Sequence, residues 1–570
     1  MEFQKLASLY EELEATSSGN KMREVLGEFF AKVPKEDIAI VAYLTLGRIG
    51  SDYEAIVLGM AEKSVLKALA QAAGQEQTKV NKIMQETGDA GLTAEKVLHK
   101  KPQTLVPLGR LMVREVYDKL HKIAEAGGTG SQEKKAQLLI SLLQKATPRG
   151  ARYVVRILLG TLRMGVGDMT VLDALSLAYT GSKEGKEKLE QAYNICPDVG
   201  IIAETLAKEG LKGIEKIEVH VGRPIKMMLA QRVEVLEEVA VKIPGKVVVE
   251  GKYDGERIQV HKSKDGIQLF SRRLENITAQ FPDLAEQLQK QVQAKELVLE
   301  GEVIAVDKDG KPLPFQLLMQ RRRKYGVEEY AQKIPVQLKL FDLLYCTGKS
   351  FLKESWERRN AKLQDVVKKN KQITFADRII SSQLEEINSF FQEMLEQGYE
   401  GIMIKSPQGE YQAGMRGWNW IKWKREYVKE MHDTFDVVVV GAYHGKGKRS
   451  GKYGALLCAV YNEKNDMFET LCKLGTGLTD EVLKTLPGQL KKYQLTHQPA
   501  RLLIKKEMEP EVWFEPAVVV EVLGAELTKS PFHTAANGVA LRFPRFIKFR
   551  EDKKAEQATT TREIEQMFIK

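Results

Sequence analysis

Apolar spacing changes texture along the chain. From residue 1 to about 218, apolar residues recur at helical intervals. Leu6, Leu9, Tyr10 and Leu13 fall at i, i+3, i+4 and i+7, and Leu26, Phe29, Phe30 and Val33 repeat the pattern. Such stripes predict helices that turn one face into a core, with Gly-rich loops such as residues 126–131 between them. From about 219 short apolar runs replace the stripes. Residues 247–249, 297–299 and 336–340 predict strands joined by Gly, Asp and Pro turns. A helix over 384–395, carrying Ile387, Phe390, Phe391 and Met394, is interspersed. Near Asp433 a third texture begins. Runs at 437–440, 456–461, 502–504 and 517–522 predict a short-stranded β barrel, with 426–432 as a linker before it. The polar tail ends in a short helix at 564–569. The predicted partition is an all-α segment (1–218), an α+β segment (219–430) and a β-barrel segment (431–570).

Composition narrows the class. A chain of 570 residues is too long for one core, which fits several domains. A hydrophobic content of 43% excludes wholesale disorder. Lys and Arg number 87 against 77 Asp and Glu, a net charge of +10 that favours a polyanionic partner. The four cysteines, at 196, 346, 458 and 472, form no C-x-x-C pair, so neither a zinc knuckle nor a disulfide framework is expected. No run is long enough to span a bilayer and no apolar signal core opens the chain. A soluble, intracellular protein without a membrane partner is expected.

The candidate chemistry centres on Lys252-Tyr253-Asp254-Gly255-Glu256-Arg257, a tight turn between two apolar strands. A lysine buried there among other cations would lose its proton more easily and become a nucleophile. Taken alone, a K-D-G turn on a surface hairpin is common. Downstream, Glu300 and Glu302 lie on one face of a predicted strand, and Glu400 opens another. Such carboxylates suit Mg²⁺, which prefers hard oxygen ligands. In Trp420-Ile421-Lys422-Trp423-Lys424, Lys422 and Lys424 share one face while Ile421 and Trp423 take the other, the pattern of a strand with a core on one side and phosphates on the other.

Taken together and in order, these elements resemble the motif series of the ATP-dependent DNA ligases, archaeal or replicative in type. Ser271-Arg272-Arg273, Phe341-Asp342-Leu343, Gly441-Ala442-Tyr443 and Leu541-Arg542-Phe543-Pro544-Arg545-Phe546 complete the series, which covers nearly the whole chain. The resemblance implies a DNA-binding domain, a nucleotidyltransferase domain and an OB-fold domain. It implies that ATP adenylates Lys252 and that Mg²⁺ assists. AMP then passes to a 5′-phosphate at a nick in double-stranded DNA, which an adjacent 3′-hydroxyl attacks. It further implies that Glu250 bonds the adenine amino group and Phe341 stacks on the base. Arg257, Arg272 and Arg416 would hold ribose and phosphate, and Glu302 and Glu400 would bind ribose or Mg²⁺. Lys422 and Lys424 would neutralise the α-phosphate, and Arg550, Asp552 and Lys553 would orient pyrophosphate. DNA contacts would come from Arg152, Arg156 and Arg163 in the helical segment and from Lys446, Lys448 and Arg449 in the barrel. A monomer in the cytoplasm, on the nucleoid, is expected, acting in replication, repair and recombination. A related RNA ligase or guanylyltransferase, or a ligase-derived scaffold without activity, remain the alternatives. Relatives in archaea carry a glutamine-led segment with paired aromatics that docks on the sliding clamp. Gln103-Thr104-Leu105-Val106-Pro107-Leu108 lacks those rings, which weakens the case for a clamp partner.

Overall fold

The computed structural model describes residues 1–99, 109–162, 164–181, 183–233, 235–322, 326–424, 434–445, 452–524 and 526–569. It comprises two compact units, Met1–Trp423 and Lys424–Lys570.

The first part of the larger unit is helical, from Phe3–Glu14 to Val199–Ile214. The expected stripes face its core: Leu6, Tyr10 and Leu13 are fully buried, as are Leu26 and Phe30, while Phe29 packs at the margin. Each such side chain contributes about 1.5–3 kcal/mol on leaving water. The helix Pro148–Leu158 shows how local sequence sets an element. Thr147 caps it by accepting from the Gly150 amide at 3.0 Å, and Pro148 occupies the first turn, where its missing N–H costs nothing.

The rest of this unit carries two sheets. One is ordered β1-β11-β10-β2-β9, where β1 is Leu229–Arg232, β2 Val247–Lys252, β9 Arg378–Ser381, β10 Gly401–Lys405 and β11 Arg416–Lys424. The other is ordered β4-β3-β5-β6-β7, with β3 Glu256–Ser263, β4 Gly266–Ser271, β5 Leu297–Ala305, β6 Val336–Cys346 and β7 Lys349–Ser350; β8 (Ile373–Phe375) also pairs with β6. The apolar run of β2 is buried on both faces, as a continuous rather than alternating pattern requires. The helix Leu384–Glu396 covers the first sheet with Ile387, Phe390, Phe391 and Met394. The two sheets meet at the turn between β2 and β3, which carries the candidate lysine.

The smaller unit is built on β12 (Thr434–His444), β13 (Tyr453–Asn462), β14 (Met467–Leu474), β17 (Val512–Leu523) and β20 (Arg545–Phe549), with short strands and helices at its margins. Pairing runs β20–β17–β12–β13–β14, and a bridge between Thr476 and Arg545 returns the chain beyond β14 to β20. Phe435, Val437 and Val439 enter one apolar cluster and Val438 and Val440 another, so β12 is buried on both faces. The strand β14 and the helix Asp480–Lys491 were not expected from sequence; Pro487 inside that helix hides its pattern. All four cysteines are unpaired and buried. Among the described residues no helix is long and apolar enough to cross a membrane.

Candidate active site

Lys252 is the last residue of β2, and Glu256 opens β3. The turn between them is fixed on each side. Tyr253 is buried; its hydroxyl accepts from the Asp377 amide at 2.8 Å and donates to the Asp377 carboxylate at 3.1 Å. At Gly255 a Cβ would lie 2.3 Å from the Val303 carbonyl oxygen and 3.0 Å from Glu302 Cγ, so no side chain fits. Antiparallel pairing sets Lys252 opposite Gly401, and the Glu400 amide donates to the Lys252 carbonyl at 2.9 Å. That register brings the Glu400 carboxylate to 2.5 Å from Lys252 Nζ.

The charges around Lys252 differ from the sequence expectation of a cationic surrounding. Its neighbours are the carboxylates of Asp254, Glu302 and Glu400. Burial, above all, pushes the Glu302 carboxyl up to about 7; Glu400 and Asp254 add to the rise, and Lys252 and Arg257 oppose it. The Asp254 carboxyl is also raised, by burial first and then by Glu400. Three carboxylates crowd one lysine, with Glu400 raising both Glu302 and Asp254, and a further cation would relieve the repulsion. Among the described residues no three ligating side chains converge into a metal cage. The arrangement fits Mg²⁺, which one or two carboxylates share with phosphates and water, better than a metal held by protein alone.

Beside the lysine lies a cluster of buried charged and aromatic side chains. Residues paired across antiparallel strands share a face, so Glu250, Lys252 and Lys405 all point to one side of the β2–β10 pair. Glu250 is buried, with Oε2 2.6 Å from Lys405 Nζ; its Oε1 has no hydrogen-bond donor. Phe341 lies edge-on to Trp420 at 6.0 Å. The Lys405 ammonium stands over both rings, 4.6 and 4.4 Å from their centroids. Arg257 bonds Glu300 at 2.7 Å and the Met228 carbonyl at 2.7 Å, and Tyr411 donates to Glu300 at 3.0 Å. Sequence reasoning passed over Lys405, Asp254 and Tyr411 as site residues. For Lys405 a signal existed: a lysine closing the apolar strand Gly401–Lys405 is a charge at a core position.

The remaining candidates are distributed as follows. Arg272 and Arg416 are exposed, and Lys422 and Lys424 are half-buried beside the core residues Ile421 and Trp423. In the smaller unit Arg550, Asp552 and Lys553 form one cluster around Asp436. Arg550 meets Asp436 at 3.0 Å and Asp552 at 2.8 Å, and Lys553 meets Asp436 at 2.5 Å. The hydrogen bonds from Arg550 hold the Asp552 carboxyl down at about 2.

The helical arginines are placed differently from the phosphate-facing pair that the sequence suggests. Arg152 bonds Glu14 at 2.5 Å and Glu95 at 3.4 Å, and Arg156 bonds Glu14 and, at 3.2 Å, Asp89. Both are largely buried, because Pro148–Leu158 packs against Ala90–Leu98. Arg321 and Arg322 are likewise engaged internally, with Asp283 and Glu256. Arg163, Lys446, Lys448, Arg449, Arg323, Lys324, the linker 426–432 and the stretch Gln103–Leu108 lie outside the described residues.

Comparison with known proteins gives a consistent picture. Residues 2–176 match the family model described as DNA ligase N terminus, 227–424 that of the ATP dependent DNA ligase domain, and 449–553 that of the ATP dependent DNA ligase C terminal region. The chain is 44% identical to DNA ligase 1 of Methanosarcina acetivorans, over 99% of this chain and 98% of that protein. It is 45% identical to DNA ligase 2 of Thermofilum pendens, over 99% and 96%. Among solved structures, the one titled Pmar-Lig_Pre covers 96% of this chain and 99% of its own, with a TM-score of 0.55 at 18% identity, which speaks to the fold alone.

Proposed function

We propose, because the chain belongs to the ATP-dependent DNA ligase family, that it seals nicks in duplex DNA, joining a 5′-phosphate to an adjacent 3′-hydroxyl at the expense of ATP. The observation that carries this reading is the setting of Lys252. A lysine on a strand end touches a carboxylate at 2.5 Å and shares a strand face with Glu250, whose buried Oε1 has no hydrogen-bond donor.

In the first step Lys252 Nζ bonds to the α-phosphorus of ATP, the α–β bridge breaks and pyrophosphate leaves. Glu400, in contact with Nζ, is placed to take its proton. Glu250 Oε1 accepts from the adenine amino group and Phe341 stacks on the ring. Arg257, Arg272 and Arg416 hold ribose and phosphate oxygens, and Lys422 and Lys424 neutralise the α-phosphate. Mg²⁺ would be held by Glu302 and Glu400 and would supply positive charge to the phosphates. In the second step an oxygen of the 5′-phosphate attacks the AMP phosphorus and the nitrogen–phosphorus bond breaks, releasing Lys252. In the third the 3′-oxygen attacks the activated 5′-phosphorus and AMP leaves. Splitting the condensation in this way replaces one hard step with easier ones.

The three domains are residues 1–218, 219–430 and 431–570. The last is an OB-fold, supported by the five-strand path from β20 to β14 and the bridge that returns to β20. It delivers Arg550, Asp552 and Lys553 to the pyrophosphate and contacts DNA through Lys446, Lys448 and Arg449. Arg163 contacts DNA from the helical domain. Arg152 and Arg156 would join it only by exchanging Glu14 for phosphate. The protein acts as a monomer in the cytoplasm, on the nucleoid, in replication, repair and recombination.

The test is transfer of label from α-labelled ATP, followed by sealing of a nicked duplex. Lys252→Ala should abolish transfer. Lys252→Arg should abolish it too, because a guanidinium stays protonated. Label retained by either variant would refute the assignment.

A further inference from the structure

The reaction chemistry gives no part to Lys405, yet no lysine of the described site is more thoroughly enclosed. It is 2% exposed, its Nζ lies 2.6 Å from Glu250 Oε2, and it stands over the rings of Phe341 and Trp420. A buried ammonium is costly, and burial pulls its pKa down while Glu250 opposes the fall. The pair therefore calls for a role.

We propose that Lys405 is the positioning residue that makes the site select adenine over guanine nucleotides, by holding the Glu250 carboxylate with one oxygen occupied and the other presented to the base. The proposal rests on the reading that Glu250 contacts the exocyclic group of the purine.

The asymmetry of the carboxylate is the central point. Oε2 is taken by Lys405, and Oε1 has no hydrogen-bond donor, with Arg378 Nε 3.8 Å from it. A buried acceptor without a donor is an unmet requirement that a ligand N–H satisfies. At the 6-position adenine offers an amino donor, and guanine a carbonyl acceptor. Against an ionised Oε1 the first makes a charge-assisted hydrogen bond, and the second leaves two acceptors facing each other. Discrimination of this kind needs a carboxylate that does not rotate. Lys405 meets that need, because it holds Oε2 at 2.6 Å and its own ammonium is fixed by the two rings and by the Phe341 carbonyl at 3.5 Å. Without Lys405, Oε2 loses its partner, the carboxylate is free to turn, and Oε1 is no longer held towards the base. The amino group would then no longer be preferred.

The experiment compares kcat/KM for lysine adenylation or guanylation with three nucleotides: ATP, GTP and purine riboside triphosphate, which lacks the 6-amino group. The full chain is used as wild type and as Lys405→Met. Wild type should prefer ATP over the purine riboside analogue by roughly ten- to hundredfold, the value of a hydrogen bond to a charged acceptor. In Lys405→Met that ratio should fall towards one and the preference over GTP should narrow, mainly through KM for ATP. A merely structural lysine would lower all three nucleotides together and leave the ratios intact, which would overturn the proposal. A wild-type ratio of one would instead refute the contact between Glu250 and the amino group, and the proposal with it. Lys405→Met leaves a buried carboxylate unpaired and could fail to fold, which thermal unfolding would reveal. The double variant Glu250→Gln with Lys405→Met removes both charges of this pair, and its amide can turn either way. It should accept ATP and GTP within a few-fold of each other; full retention of the wild-type preference would again overturn the proposal.

Discussion

Arg359 and Asp342 form a fully buried ion pair immediately after Phe341, the residue proposed to stack on the base. Arg359 Nε and Nη2 donate to the two Asp342 oxygens at 2.7 and 3.1 Å, and Nη1 donates to the carbonyls of Glu354 and Gly409 at 2.7 and 2.9 Å. Arg359→Met keeps most of the volume and removes every one of these donors. It strands a buried carboxylate that retains only the Leu343 amide, at 2.9 Å. Breaking a buried pair in this way costs about 3–5 kcal/mol, a large part of the roughly 5–15 kcal/mol that holds a domain together. For a domain of this size that corresponds to a fall in melting temperature of about 6–20 °C. The assay is thermal and urea unfolding followed by tryptophan fluorescence, for which Trp356 is a buried reporter three residues away. Asp342→Asn and the double variant complete a cycle. The double variant should be less destabilised than the sum of the singles, because no charge is left alone. KM for ATP should rise in Arg359→Met, since the strand that carries Phe341 loses its anchor. Lys362→Ala, which breaks an exposed pair with Asp365 on the same helix, is the control and should change nothing measurable. Stability of Arg359→Met within about 1 kcal/mol of wild type, or strict additivity in the cycle, would refute the reasoning.

Gly255→Ala should slow adenylation without changing overall helix content, because its Cβ would meet the Val303 carbonyl at 2.3 Å and push Lys252 and Glu302 apart; wild-type label transfer would show that the turn has slack. Glu302 gives a pH signature. Its carboxyl is raised from the ordinary 4.5 to about 7, so folding favours the protonated form and the charged form costs stability. The cost is absent below about 4.5, grows as pH rises, and is complete above about 7. Glu302→Gln should therefore be more stable than wild type at pH 8, with the gap closing towards pH 4.5, as read by urea midpoints; a gap independent of pH would count against it. In the smaller unit, Asp436→Asn should loosen Arg550 and Lys553, which it holds at 3.0 and 2.5 Å, and should impair lysine adenylation more than sealing of a nick supplied already adenylated. Equal loss in both assays would argue against a role confined to the first step.

Spacing alone identified the elements whose residues have little choice. The stripe Leu6–Tyr10–Leu13 can bury itself only as a helix, and residues 247–249 only as a strand covered on both sides. The order of short motifs likewise singles out Lys252 as the candidate nucleophile, because its strand, turn and strand are consecutive in the chain. What the sequence could not supply was charge context. Lys252 was expected among cations and lies among Asp254, Glu302 and Glu400, because β10 pairs with β2 in a register that delivers Glu400 from 148 residues further along. Arg152 and Arg156 show the same limit. Their spacing gives one helix face, but only the packing of Pro148–Leu158 against Ala90–Leu98, with Glu14 alongside, decides that this face meets carboxylates rather than solvent. Lys405 is the clearest case: a strand pattern marks it as buried, and tertiary pairing alone gives it Glu250. Local propensity and burial are written in near neighbours along the chain, whereas the partner of a charge is set by residues that only the fold brings together.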